Sequence, residues 1–199
     1  KYFRNLITYN RDKVDRFDPD YLPGDGKAYG AELFLKGGLS SFYGWVSYSY
    51  AKSTRTVNDF TFSPRYDRRH NLNVVAGVKV SGGWELTAHW EFGSGLPFTK
   101  IVGFYDRLLL GGLFDSTYAR ETGKPYTILG EKNVGNLPAY HRLDVTFAKV
   151  FAIDDYRLAF ELNIVNLYDR KNLFYFNRFT GDRVNMLPFF PTLSVRAEF

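Results

Sequence analysis

Between Trp84 and Phe92 the side chains alternate without exception, with Trp84, Leu86, Ala88, Trp90 and Phe92 on one parity and Glu85, Thr87, His89 and Glu91 on the other. A period of two residues predicts a β-strand with one apolar and one polar face. The same rule runs through His70 to Val80, where Leu72, Val74, Ala76, Val78 and Val80 share a face, and through Tyr29 to Lys36, around Ala31, Leu33 and Leu35. From Tyr156 to Tyr168 it sets Leu158, Phe160, Leu162 and Ile164 against Arg157, Glu161 and Asn163. The closing stretch, Phe190 to Phe199, alternates up to a terminal aromatic. With Phe42 to Lys52, Tyr140 to Phe151 and the less regular Tyr2 to Tyr9, the pattern predicts about eight strands, a number able to form a small barrel.

The segments between strands differ in kind. Gly37 to Ser41, Ser81 to Gly83 and Ala152 to Asp155 are short and carry turn residues. Asn10 to Lys27 is rich in Asp, Pro and Gly and reads as a loop; Ser53 to Asp67 is polar, and Gly93 to Pro138 and Asp169 to Phe189 are long connections. In an up-and-down meander alternate connections lie at one end, so one end is trimmed and the other elaborated. That asymmetry is typical of outer-membrane β-barrels, with short periplasmic turns and long outer loops. A soluble sandwich accounts for the alternation but not for the asymmetry.

Composition narrows the classes. With 45% hydrophobic and 24% charged residues among 199, the chain can fold as one sizeable domain. The absence of Cys removes disulfides, thiolate metal sites and Cys nucleophiles. No apolar run approaches the roughly 18 residues of a transmembrane helix, but a transmembrane strand needs only about 9 to 11. The 15 Tyr and 19 Phe suit aromatic girdles at a membrane boundary; Trp84, Tyr140, Tyr168 and Phe199 fall near strand ends. Replacing Leu162 by Arg on the lipid-facing parity should then cost about 2 to 4 kcal/mol near the midplane.

Several stretches together resemble the C-terminal half of the barrel of TonB-dependent outer-membrane receptors: GKAYGAELFLKG, RYDRRHNLNVVAGVKV, WELTAHWEFGSGLPFT, LPAYHRLDVTFAKVF, LAFELNIVNLYDRKNLF and PTLSVRAEF. The resemblance implies an all-β, antiparallel up-and-down transmembrane barrel, of which residues 1–199 form the C-terminal portion, without the plug domain or the energy-coupling box. It implies bacterial outer-membrane localisation and uptake of a scarce nutrient such as a ferric siderophore, haem, cobalamin or a glycan, with no enzymatic activity and no cofactor. Expected partners are the TonB energy-coupling complex acting through the missing plug, outer-membrane lipids with lipopolysaccharide, the barrel-assembly machinery reading Phe199, and a small-molecule or chelate ligand; nucleic acid is not among them. Polar lumen sets such as Gly30, Glu32 and Lys36 favour an arc of a larger barrel. The alternatives are a small complete outer-membrane barrel with a structural or adhesive role, and a soluble ligand-binding β-barrel.

Candidate chemistry lies in the outer loops. Arg65, Arg68, Arg69, Lys100, Arg107, Arg120, Lys124, Arg170, Lys171, Arg178 and Arg183 fall in or beside them and would attract an anionic ligand. Loop aromatics Phe104, Tyr105, Phe114, Tyr118 and Tyr126 are free of the strand pattern. The ligand contacts expected from these sets are Tyr105, Arg107, Tyr118, Arg120, Tyr126 and Arg178. Asp12, Asp15, Asp18, Asp20 and Asp25 lack EF-hand spacing and read as a solvated acidic loop. His70, His89 and His141 lie on different strands without metal-type spacing, and Ser94 lacks the strand-to-helix setting of a nucleophile elbow.

Overall fold

The computed structural model describes all residues except Asp12, Val14, 106–125, Asp155, 178–179 and Phe199. The described chain is all-β and antiparallel. Its strands are β1 (Tyr2–Tyr9), β2 (Tyr21–Leu39), β3 (Phe42–Val57), β4 (Phe60–Phe62), β5 (His70–Val80), β6 (Trp84–Gly93), β7 (Pro97–Phe98) and β8 (Ile101–Tyr105). They continue with β9 (Tyr126–Leu129), β10 (Gly135–Asn136), β11 (Tyr140–Ile153), β12 (Tyr156–Val165), β13 (Leu173–Phe176), β14 (Arg183–Asn185) and β15 (Phe190–Glu198). The main sheet has the order β1-β2-β3-β5-β6-β11-β12-β15, with β4 folded back on β3, and no pairing among the described residues joins β1 to β15. All eight strands expected from the alternation are present and follow one another as a meander.

Register aligns the apolar parities of neighbouring strands. Leu35 faces Val46, Val46 faces Val74, Val74 faces Trp90, and Trp90 faces Leu143. Farther along, Leu86 faces Phe147, Phe147 faces Leu162, and Leu162 faces Leu193. One face is therefore apolar from β2 to β15, and the face behind it carries residues such as Glu32, Asn73, Glu85, Glu161 and Ser194. Among the described residues no second layer covers the apolar side. Leu33, Leu35, Phe147 and Leu193 are exposed, whereas the buried apolar side chains among the described residues are Phe62 and Val145.

Several boundaries differ from the pattern's expectation. β2 begins at Tyr21, inside the segment read as a loop, because Gly24 and Gly26 serve close strand approach rather than a turn. A Cβ at Gly24 would stand 2.5 Å from the Thr56 carbonyl oxygen, and one at Gly26 would stand 2.7 Å from Leu6 Cδ1. Pro23 is tolerated because the β2–β3 ladder starts only at Asp25, leaving Pro23 paired on one side, with Ile7. Gly37 and Gly38 likewise continue the ladder, and the turn is confined to Ser40 and Ser41, with Ser40 at φ 51°. β3 runs on to Val57 and returns as β4 through Asn58 and Asp59, both at positive φ, as a two-residue hairpin of the I′ kind requires. β12 stops at Val165 rather than Tyr168 because Asn166 takes a left-handed φ of 55°.

The apolar face ends in rings at both ends. Near the short turns, Lys149 lies 4.8 Å from the Trp84 ring centroid and 4.9 Å from that of Phe151, and it donates to the Gly82 carbonyl. At the other end Tyr48 pairs with His70 Nδ1 at 2.8 Å, Trp90 stacks on Phe92, and His141 Nδ1 pairs with the Tyr168 hydroxyl at 2.7 Å.

Candidate functional site

At the long-loop end three connections rise together, two of them held by buried polar side chains. The loop before β5 is pinned by Asp67, 3% exposed, whose carboxylate accepts from the Ser53 amide at 2.6 Å and from Arg69 Nε at 2.8 Å. The hydrogen bond to Asp67 raises the already high pKa of Arg69, so that cation is spent on the loop. The segment between β6 and β11 leaves and returns as a ribbon: β7 pairs with β10, and β8 with β9. Its two chains cross at Gly95, where a Cβ would fall 1.7 Å from the Leu137 carbonyl oxygen, so only glycine admits the crossing. Asn133 ties this ribbon to the first loop by donating to the Ser63 carbonyl at 2.8 Å.

The third connection, after β12, is built around Asn166 and Asn172. Asn166 is completely buried; its Nδ2 donates to the carbonyls of Arg170 and Leu187 at 3.0 Å, and its Oδ1 accepts from the Arg170 amide at 3.0 Å. Asn172 donates to the His141 carbonyl at 2.8 Å and accepts from its amide at 3.2 Å, as a strand partner would. Arg170 closes the arrangement by donating to the Ala139 carbonyl at 3.1 Å. β13 and β14 are then presented as a hairpin beside the ribbon, with Phe98 and Phe176 ring centroids 5.6 Å apart.

The three connections enclose a cup of about 760 Å³. Its walls are aromatic, with Phe98, Phe104 and Tyr140 on one side and Phe174, Tyr175 and Phe176 on the other; Leu96, Ile101 and Met186 fill between them. Three cations line it, Arg65, Arg68 and Lys100, and its described lining contains no carboxylate and no amide side chain. Arg68 lies 5.5 Å from the Tyr140 ring centroid. None of the three cations has a carboxylate partner among the described residues, in contrast to Arg69. A concave, mostly apolar site with a few convergent polar groups is the usual form of a small-molecule site.

Of the expected contacts, Tyr105 and Tyr126 are register partners in the β8–β9 ladder, and Tyr105 is 51% exposed but does not line the cup. Arg107, Tyr118, Arg120 and Arg178 lie outside the described residues, as does Phe114. From the broader sets, Phe104, Arg65, Arg68 and Lys100 are brought together. Tyr66, in a turn, and Phe98, Phe174 and Phe176, on strands too short to show alternation, were missed; the signal present was aromatic density within connections too long to be idle.

Other sequence features have structural partners. Ser94 Oγ accepts from the His70 amide at 3.0 Å. His70, His89 and His141 remain apart, with Tyr48, Glu91 and Tyr168 respectively as neighbours. Among the described residues no group of three or more His, Asp or Glu side chains is placed to hold a metal ion. On the polar face Arg142 lies 2.8 Å from Asp144 and 3.9 Å from Glu91, and Tyr140 donates to Glu91 at 2.9 Å, which links the floor of the cup to that face.

Comparison of the chain with protein-family models, with curated proteins and with solved structures returned no match.

Proposed function

We propose that this chain forms part of the wall of an outer-membrane β-barrel of the TonB-dependent receptor type, whose cup captures a scarce nutrient for uptake. The observation that carries the reading is the continuous apolar face, exposed across seven strands, with only Phe62 and Val145 as buried apolar side chains among the described residues. In water such a surface is far beyond the few hundred Å² that soluble monomers expose, whereas in lipid it is the solvated side. Strands of 9 to 19 residues from β2 to β15 meet the length that tilted membrane strands require. Rings at both ends of the face, with Lys149 reaching to the turn, fit two interfacial girdles.

An arc of a larger wall is favoured over a closed eight-stranded barrel by the pairing itself. Among the described residues β1 pairs only with β2 and β15 only with β12, so the sheet is an open arc. In hydrocarbon each unpaired backbone group costs several kcal/mol, so further strands must cover these edges. The polar face would then line a lumen occupied by a plug, and energy would arrive through the TonB complex.

Two experiments test this. In single-tryptophan variants of the full-length protein in vesicles of brominated lipid, Trp90 should be quenched and Trp45, on the polar face, should not; the reverse would remove the membrane assignment. Accumulation of a ferric chelate, haem, cobalamin or an oligosaccharide in cells carrying the full-length protein should cease when the proton gradient is collapsed. Uptake that persists without the gradient would remove the receptor reading.

A further inference from the structure

We infer that the cup selects an anionic ligand bearing a flat aromatic face, over neutral sugars, cations and flexible anionic chains. This rests on the reading of the cup as the capture site of the proposed receptor. Arg65, Arg68 and Lys100 converge on it, and the described lining holds no Asp, Glu, Asn or Gln. A cationic ligand would meet three like charges and no counter-charge. A neutral sugar would find stacking surfaces but none of the carboxylate or amide side chains that accept from its hydroxyls; Ser94, Thr99 and the tyrosines are the remaining polar lining side chains.

The cations are also unspent. Arg69, two residues after Asp67, is consumed by that carboxylate at 2.8 Å, yet Arg68 turns the other way, over Tyr140. Space for it exists because residue 93 is glycine: a Cβ there would lie 2.0 Å from Arg68 Nη1. The guanidinium is thus positioned by the fold with its donors unpaired by any carboxylate among the described residues, the arrangement suited to charge-assisted bonds with an anion. The tilted pair Phe98 and Phe176, with Phe104 and Phe174 on the same cup, supplies flat apolar surface against which rings stack better than flexible chains do.

Three probes separate the parts of this inference: 8-anilinonaphthalene-1-sulfonate, with ring and anion; N-phenyl-1-naphthylamine, the same rings without the anion; and octyl sulfonate, an anion on a flexible chain. Binding is measured on the full-length protein in detergent, as the saturable component above a protein-free control. The sulfonated ring should bind at least about tenfold tighter than either of the others, the factor expected for one charge-assisted hydrogen bond. Lys100→Gln and Arg68→Gln should each weaken it about tenfold, and Arg68→Lys should recover part of the loss. Lys100 is exposed and outside the buried clamps, so its substitution keeps the test valid should Arg68→Gln disturb folding.

Equal affinity for the uncharged ring, or no change in the Lys100 variant, would overturn the anion preference and leave the transport reading standing. Octyl sulfonate binding as tightly as the sulfonated ring would assign the cup to anionic lipid and overturn the aromatic preference. Failure of energised uptake together with charge-dependent probe binding would remove the transport reading and leave this inference supported.

Discussion

The guanidinium of Arg68 occupies the volume that a side chain at Gly93 would need, with Nη1 2.0 Å from the position of a Cβ there. A residue at the end of β6 thereby sets the direction of a cation that comes from a different loop.

Gly93→Ala should displace the flexible end of Arg68 from Tyr140 rather than break the backbone. Thermal unfolding should change little, since an exposed cation–π contact is worth about 0.5 to 1 kcal/mol. Binding of an anionic aromatic probe should fall about as far as in Arg68→Gln, and the two substitutions together should be no worse than either alone. Full additivity in a titration of the double variant would show that the two residues act independently.

Tyr43 lies across Gly77 on the polar face, its hydroxyl 2.5 Å from Glu85 Oε1 and 2.9 Å from Thr87 Oγ1. A Cβ at residue 77 would stand 2.2 Å from the Tyr43 ring. Gly77→Ala should therefore expel the ring and cost about 1 to 3 kcal/mol, as overpacking does. Tyr43→Phe keeps the packing and should cost only about 1 kcal/mol for the lost hydrogen bonds. Denaturant unfolding in vesicles should show Gly77→Ala as the more harmful change.

Asn166 combines a left-handed backbone with three side-chain hydrogen bonds in a fully buried site. Asn166→Ala should lose both features and Asn166→Gly only the hydrogen bonds, about 1 to 3 kcal/mol for the groups left unpaired. Limited proteolysis should cut the 170–187 connection faster in both variants, and fastest in the alanine one. The main sheet should remain protected, because its ladder does not pass through this loop.

Leu162 faces Phe147 and Leu193 on the apolar side, while its neighbour Glu161 faces Ala148 and Ser194 on the other. Under the proposed membrane assignment, Leu162→Arg should cost about 2 to 4 kcal/mol near the bilayer midplane, and Glu161→Arg about 1 kcal/mol or less. Equal losses in vesicle unfolding experiments would contradict the face assignment.

Much of the sheet was legible in the residues. Leu86, Ala88 and Trp90 declare their face by parity alone, and the three short turns declare which end is trimmed. At two of the boundaries where the pattern misled, the residues were glycines. Gly24 and Gly26 read as turn residues, but their missing side chains let neighbouring groups come close, while Gly37 and Gly38 read as a turn yet continue the β2–β3 ladder. The upper ends were less legible still: β7, β10 and β14 have two or three residues each, too few to express a period.

Alternation, turn chemistry and chain length determined the all-β class, the two faces of the sheet and the order of its strands, because a strand's period is a local property of the backbone. Only the tertiary structure decided the cup. Its walls depend on bonds between distant positions, such as Asp67 with Ser53, Asn133 with Ser63 and Asn172 with His141, and on the room left at Gly93 and Gly95. No local pattern encodes which carbonyl a buried amide will find, so Arg65, Arg68, Lys100 and the rings around them become one site only when the loops close over the sheet.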